Sequence, residues 1–570
     1  MRSRTDALDK KFEVLILGGG IHGVALARTL AQSGVSVALV ERGDFGGATT
    51  RNSLKIVHGG LRYVQHLDAR RIRESVQAQR AWLAAAPHLV RPMRFTMPTI
   101  GWGVRSPLAL AAGALAYRLL GGSSRQRSAA GAQMPDALMQ GKRHFAEAFP
   151  EVKGDQVNGC MSWFDAQILD SGRLVTACVE DAAAAGAVTL NHVEAVCLRI
   201  TGNRVSGGLV RDCITGEELE VRSKITVATL GAWGDGLAQR SGLPKVRGAG
   251  MTWTKNVNLV LKRRIVAGGA VALMSRQRSD GLFGRAPRLY FVTPWQDTSI
   301  VGTTHQAYRD EPDSVTVSRE EVNSLLLDIN STLDGHHLRI EDVASLHMGL
   351  TPSERAGRSR AKRTMITDYR AQCGITGFID VAPNKYTTAP TVSSRVAALV
   401  LGILGRENRQ PAPFAQPMSA TPEHASDPES PDSLASPNDG HDAWVRTIYG
   451  RRADGILAIQ AMESGGDAQR RMFRARVIHG INEEGAIRLG DAIFRCSDLA
   501  ERGRLSPDDL AWCLNWMKKH FGWTHDRSRQ ELGLVLYRLR KHMSGGPDMD
   551  WSSDLLTRMV DKRAGERARP

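Results

Sequence analysis

After a short polar opening, apolar residues arrive in runs too dense for a strand with one wet face. Val14, Leu15, Ile16 and Leu17 follow one another without a polar break, and the stretch 35–40 repeats the pattern. Such runs belong to strands buried on both faces, as in a parallel sheet. Between them Val24, Leu26, Ala27 and Leu30 recur at helical spacing, predicting a helix over 24–32 that Gly34 stops. Strand, helix and strand in that order predict a βαβ unit. Further strands are predicted at 187–190, 194–200, 225–228, 258–261, 288–291, 299–302 and 378–381. Helices are predicted at 69–86, 106–120, 172–185, 319–332 and 391–404. The mixture indicates an α/β domain with an inserted sheet.

The pattern breaks at 411. Seven of the 23 prolines fall in 411–440 among Ser, Ala, Asp and Glu, a composition that buries little apolar surface and reads as a linker over 411–442. From 443 to 570 helical spacing returns, for example at 491–499 and 508–520. A chain of 570 residues exceeds one hydrophobic core, so several domains are expected.

Charge and cysteine content narrow the chemistry. The net charge of +16 favours anionic partners, or is a solvated basic surface. The basic residues are spread along the chain with no aromatic-plus-basic module, so no nucleic-acid partner is expected. Seven scattered cysteines form no CxxC pair, which argues against a disulfide framework and against a metal site. The polar stretch 1–11 has no signal-peptide character, so a cytoplasmic location is expected. The longest apolar run, 108–117, is well short of the ~20 residues a spanning helix needs. The predicted helix at 106–120, opened by Pro107 and ending near Arg118, either dips into an anionic membrane interface on the inner face or lies buried under the inserted domain.

The most specific local chemistry is the turn after the first strand. Gly18-Gly19-Gly20-Ile21-His22-Gly23 fits G-x-G-x-x-G. Gly18 permits the tight turn, Gly20 lets the backbone approach a pyrophosphate, and Gly23 allows close helix–strand packing. Glu41, at the end of the second strand, has the spacing of the acid that holds a ribose diol and argues against a 2′-phosphate, hence against NADP. The turn alone does not separate NAD from FAD.

The stretch after it does. Gly47-Ala48-Thr49-Thr50-Arg51-Asn52-Ser53-Leu54-Lys55-Ile56-Val57-His58-Gly59-Gly60-Leu61-Arg62-Tyr63 resembles the flavin-contacting loop of the FAD-dependent glycerol-3-phosphate dehydrogenases, within the D-amino-acid-oxidase-like flavoproteins. Further stretches resemble that family in order: 86–95, 170–175, 291–295 with 301–304, Lys385-Tyr386-Thr387-Thr388, and after the linker Tyr449-Gly450 and 482–487. The resemblance implies an α/β Rossmann-like FAD-binding domain (about 12–100, 170–235 and 340–405) interleaved with an antiparallel-sheet substrate domain (about 101–169 and 236–339). An all-α C-terminal domain over 443–570 follows. It implies noncovalent FAD and oxidation of a secondary alcohol by hydride transfer to flavin N5. Electrons then go to a quinone or another acceptor, as part of glycerol metabolism, in a protein peripheral on membranes that can form a homodimer.

Residue by residue, the resemblance gives the cofactor Gly18, Gly20, Gly23, Glu41, Arg42, Thr49, Thr50, Ser53, Lys55, Gly59, Gly231, Thr387 and Thr388. It gives catalytic roles to His58, Arg62 and Lys385, and substrate contacts to Arg62, Tyr63, Lys255 and Thr351. A neutral imidazole at His58 suits acceptance of a hydroxyl proton. A cation at Lys385 suits the charge that develops on the reduced ring.

The chain also departs from the family. Thr351 stands where the family's Ser-Gly-Val-Arg-Pro motif has a substrate-contacting arginine, and Ile366-Thr367 stand before Asp368-Tyr369 where a second arginine is expected. A threonine replaces a guanidinium neither in charge nor in geometry. The basic run Arg355, Arg358, Arg360, Lys362 and Arg363 either compensates or is a solvated loop. Two alternatives therefore stand beside the leading reading: a divergent member acting on another hydroxy or amino compound, as in a biosynthetic pathway, and a flavin-binding protein that acts through partners.

Overall fold

The computed structural model describes residues 4–61, 63, 68–101, 106–121, 135–244, 246, 252–278, 287–335, 337–354, 359–360, 363–422, 440–546, 549 and 551–552. The predicted βαβ unit is its centre. Phe12–Leu17 pairs in parallel with Val37–Val40 on one side (Val14 opposite Val37) and with Glu218–Ala228 on the other (Val14 opposite Ile225). The sheet extends through Val188–Leu190 at one edge and through Phe378–Ala382 and Met365–Asp368 at the other. Ile21–Gln32, Ser171–Ala184 and Ala389–Ile403 cover it, and Val14, Ile16, Val24, Leu30, Leu174 and Val396 share one buried cluster. Strands with both faces covered need no polar alternation, which is why these runs are unbroken.

A second sheet of eleven described strands stands beside the first, antiparallel except where Ala270–Arg278 runs parallel to Val90–Ile100. This corrects the expected boundaries. Ile56–Val57, Val90–Ile100 and Val343–Glu354, expected within the tracts 12–100 and 340–405 of the first domain, all belong to the second sheet. Val90–Ile100 escaped the sequence reading because Pro92 and Pro98 interrupt it. Both are tolerated because its parallel neighbour pairs only at Phe95 and Thr96, so neither proline has to donate on that side.

The linker is corrected too, as far as it is described. Residues 411–422 are packed: Phe414 and Met418 lie in the main core. The buried guanidinium of Arg28 pairs with Asp181 at 2.8 Å and donates to the carbonyls of Phe414 (2.9 Å) and Gln416 (2.8 Å). Composition misled here because two apolar anchors and one buried cation suffice to fix a proline-rich strip. Residues 423–439 lie outside the described residues.

The C-terminal region is helical as expected, but it is divided. His441–Tyr449 and Ala453–Met462 add Trp444, Ile448 and Ile456 to the main core, while the later helices build their own around Ile493, Leu510 and Leu532. The helix expected at 491–499 stops at Phe494. Beyond it Arg495 reaches Asp44 at 2.7 Å and Asp498 accepts from Arg476 at 3.0 Å, and these tertiary ion pairs override local helix propensity. Arg476 also meets Asp170 at 3.3 Å, and Arg173 pairs with Glu484. Buried charges matched in this way tie the C-terminal domain to the first sheet.

Candidate active site

A cavity of about 2140 Å³ opens between the two sheets, lined at one end by the glycine turn. Gly18 has φ +103°, and a Cβ there would lie 2.9 Å from the Thr229 carbonyl oxygen. At Gly23 a Cβ would sit 1.9 Å from the Gly18 oxygen, so the helix can approach the strand only without one. Gly20 caps the helix in extended conformation and faces the cavity, where a Cβ would come 3.3 Å from Thr50 Oγ1. That hydroxyl accepts from Ile21 N at 3.0 Å. Glu41 lines the same end, and its two oxygens accept from Gly19 N (2.7 Å) and Gly43 N (2.8 Å). Burial pushes its carboxyl above the usual range. Helix N–H groups beside a bare glycine, with a carboxylate at the end of the next strand, suit the pyrophosphate and ribose of a dinucleotide. Gly231, at φ +56°, lines this cavity as well. Arg42 lines it with its guanidinium committed to Asp313, at 2.8 and 3.1 Å.

The stretch 47–61 passes along the cavity, with strand parity over 54–59. Leu54, Ile56 and His58 face it, while Lys55, Val57 and Gly59 do not. Lys55, expected at the cofactor, is fully buried on the other side. Its ammonium donates to Arg51 O (2.7 Å), Ser171 Oγ (2.6 Å) and Glu501 Oε2 (2.9 Å), and Arg51 takes the other oxygen of Glu501 at 2.9 Å. Burial alone would raise the Glu501 carboxyl, but Lys55 and Arg51 outweigh it and hold it at about 2. Gly59 likewise faces away: a Cβ would lie 1.9 Å from Tyr117 Oη of the Pro107–Gly121 helix. Thr49 and Ser53 line the cavity, and Thr49 Oγ1 accepts from Leu350 N at 3.2 Å, joining the loop to the second sheet.

His58, Tyr63, Lys385 and Thr387 all line the cavity. His58 N donates to Thr387 Oγ1 at 3.2 Å, and the Thr387 carbonyl accepts from Trp82 Nε1 at 3.2 Å. The Lys385 carbonyl accepts from His22 Nε2 of the glycine turn at 2.9 Å. Thr388 is corrected: it is buried at the start of the Ala389–Ile403 helix and its hydroxyl donates to Lys385 O at 3.2 Å. Arg62 lies outside the described residues.

Among the expected substrate contacts, Thr351 lines the cavity but Lys255 does not. Lys255 points to the opposite face of its strand, where Nζ meets Glu321 at 2.6 Å and the Thr316 carbonyl at 3.1 Å. Its neighbours Asn256 and Asn258 line the cavity instead. Asn256 Nδ2 donates to Thr351 Oγ1 (2.9 Å) and Thr254 O (2.9 Å), while its Oδ1 accepts from His305 Nδ1 at 2.6 Å. The wall at Thr351 is thus a hydrogen-bonded chain of Thr351, Asn256 and His305.

Sequence reasoning also missed Asp165 and His22. Asp165 accepts from Gly59 N (2.6 Å), Gln79 Nε2 (2.9 Å) and Trp163 Nε1 (3.0 Å), and burial pushes it up to about 6 against these donors. His22 is driven down to about 4 by burial, opposed by its bond to Lys385 O. Its place inside the glycine turn was an available signal. Nothing in the sequence pointed to Tyr537, Arg538, Lys541 and His542, the far wall supplied by the His525–Lys541 helix and the turn after it. Arg538 donates to Gly47 O at 3.0 Å, and burial, with Arg51 nearby, lowers it to about 10.

Comparison with known proteins agrees with this frame. Residues 13–378 match the family model described as FAD dependent oxidoreductase. The glycerol-3-phosphate dehydrogenase of Synechocystis sp. is 27% identical over 555 residues, covering 93% of this chain and 97% of that protein. The mitochondrial glycerol-3-phosphate dehydrogenase of Homo sapiens is 29% identical over 396 residues, 66% of this chain and 51% of its own length, so the chain spans about half of that relative. Among solved structures, glycerol-3-phosphate dehydrogenase from Bacillus halodurans complexed with FAD superposes with a TM-score of 0.72 at 18% identity, over 96% of this chain and 98% of that one. L-alpha-glycerophosphate oxidase from Mycoplasma pneumoniae with FAD bound gives 0.53 at 16%, over 71% and 98%. These two share the fold. A glycine cradle, a strand-end acid and a second sheet closing over both are what that family model spans, and the chain belongs to the FAD dependent oxidoreductases, as an FAD-dependent enzyme similar to glycerol-3-phosphate dehydrogenases.

Proposed function

We propose that the enzyme oxidises a small polar secondary alcohol of the glycerol 3-phosphate type and passes the electrons to a quinone-class acceptor. One observation carries this reading: His58 and the glycine turn are both hydrogen-bonded to the one short stretch Lys385-Tyr386-Thr387, His58 N to Thr387 Oγ1 and His22 Nε2 to Lys385 O. FAD, when bound along that stretch beside Gly20, Glu41 and Thr50, supplies the hydride acceptor. His58 takes the hydroxyl proton on its ring. Lys385 sets a positive charge where negative charge grows in the same step. Asp165, bonded to Gly59 N, holds the His58 segment against the second sheet. The mitochondrial and cyanobacterial relatives support glycerol 3-phosphate as the first substrate to try.

The hydrogen-bonded chain of Thr351, Asn256 and His305 favours a second reading, a different hydroxy or amino compound. Anaerobic addition of sn-glycerol 3-phosphate to the purified flavoprotein separates the two. Prompt bleaching of the oxidised-flavin band is the expected result; an untouched band that a panel of other alcohols or amines bleaches gives the second reading instead.

For the acceptor, support comes from the Pro107–Gly121 helix. Its Leu110 is buried, yet Leu108 (75%), Leu115 (58%) and Leu119 (74%) are exposed along one side. Among the described residues no helix is long and apolar enough to cross a membrane. A helix lying on a bilayer with those leucines in the interface would bring the enzyme to a lipid-borne quinone. Flotation with anionic vesicles, reduced by Leu115→Glu with Leu119→Glu, tests this contact.

A further inference from the structure

Tyr63 carries two cations on its ring. The guanidinium carbon of Arg71 lies 3.9 Å from the ring centre and Lys385 Nζ lies 4.3 Å from it, and all three side chains line the cavity. The two charges are therefore no farther apart than roughly one Debye length at physiological salt, about 8 Å. Cation–π attraction offsets part of their repulsion, and an anion in the cavity they share would offset more.

Arg71 is poorly matched by protein groups. Its side chain is 12% exposed, and its Nε is buried and donates to no acceptor. The nearest acid, Asp68, uses Oδ1 to cap Arg71 N at 3.1 Å, and its Oδ2 stands 3.9 Å from Nε, beyond hydrogen-bond reach. A third cation lines the same cavity: Arg363, whose neighbour Thr364 donates to Asn384, the residue before Lys385, at 3.3 Å. Two other basic groups along the wall are matched, Arg42 by Asp313 and Arg538 by the Gly47 carbonyl. A guanidinium fork stacked on an aromatic ring and held by only one long ion pair, with an ammonium over the same ring, is a seat for a multiply charged oxyanion.

We propose that Arg71, with Lys385 and Arg363, seats the phosphate of a phosphate monoester substrate, which makes Arg71 a specificity-determining residue. The seat rests on the alcohol-oxidation reading and names its substrate class. It supplies from the Ala69–Ala85 helix the guanidinium that the wall at Thr351 lacks.

The test uses FAD-loaded enzyme and inorganic phosphate, with acetate as the carboxylate comparison, read by perturbation of the flavin absorption. Phosphate should bind about 10- to 100-fold more weakly to Arg71→Ala, with Arg71→Lys intermediate and flavin content unchanged. With sn-glycerol 3-phosphate, KM should rise by the same factor while flavin reduction at saturation stays within about threefold. Equal phosphate affinity in wild type and Arg71→Ala, no phosphate perturbation in wild type, or acetate binding as well as phosphate would each overturn the seat. If glycerol 3-phosphate leaves wild-type flavin oxidised while Arg71→Ala still weakens phosphate, the seat stands and the substrate reading fails. If it reduces the flavin with an unchanged KM in Arg71→Ala, the reading stands and the seat fails.

Discussion

The two ends of the cavity are made of different material. At the glycine turn the donors are backbone groups, with Ile21 N held by the Thr50 hydroxyl and Gly19 N and Gly43 N held by the Glu41 carboxylate, and Gly18 and Gly23 matter for the atoms they lack. At the Tyr63 end and along the Thr351 wall the contacts are side chains: Arg71 and Lys385 on the ring, and Asn256 between Thr351 and His305. A backbone site tolerates no added carbon, so it leaves a rigid residue pattern. A side-chain site can be rebuilt from another element, so its pattern is loose. The glycine-turn end was accordingly easy to place from the sequence, and the Tyr63 and Thr351 end was not.

That contrast can be broken at either end. The largest effect is expected for Gly23→Ala, since its Cβ would fall 1.9 Å from a backbone oxygen that cannot yield. The variant should purify without FAD; flavin content near that of wild type would show that the helix can slide outward and that the backbone end is not rigid. His58→Ala should keep its FAD and slow flavin reduction by roughly 10²–10⁴-fold in stopped flow, and an unchanged rate would remove His58 from the proton transfer.

Behind the loop, Glu501→Leu strands the buried Lys55 ammonium and should cost about 3–5 kcal/mol of stability, seen as a lower Tm. Linkage gives the same contact a pH signature. Glu501 titrates at about 2 when folded and at its ordinary 4.5 when unfolded, so its contribution is complete above 4.5 and is lost as pH falls from there towards 2. Acid unfolding that is identical in wild type and Glu501→Leu would refute this. The smallest effect is expected for Lys255→Met, which should leave KM and flavin reduction unchanged because its ammonium serves Glu321. A raised KM there would move the substrate wall to the other face of that strand.

Lys55 and Lys255 show why part of the site was illegible. Both sit in segments whose alternate residues face the cavity, and both were assigned from the family resemblance without regard to which face they occupy. Period two puts Leu54, Ile56 and His58, then Asn256 and Asn258, on the cavity side instead. Applying strand parity to the matched stretch would have found the asparagines. The βαβ unit was legible because its strands are buried on both faces. Val90–Ile100 was not, because its prolines hide behind a neighbour that pairs at two residues only. The wall from Tyr537 to His542 had no local signal at all, since its position depends on buried ion pairs between distant segments, such as Arg495 with Asp44.

That last wall bears on how the protein is born. Gly18 and His542 border one cavity from near opposite ends of a 570-residue chain. At ~5–20 residues per second of synthesis, the nucleotide cradle leaves the ribosome on the order of a minute before the helix that covers it. Through that interval the nascent chain carries an open cleft. A message cut short of the His525–Lys541 helix would therefore yield a product with its first sheet intact and its flavin bed uncovered, a ready substrate for chaperones and proteases.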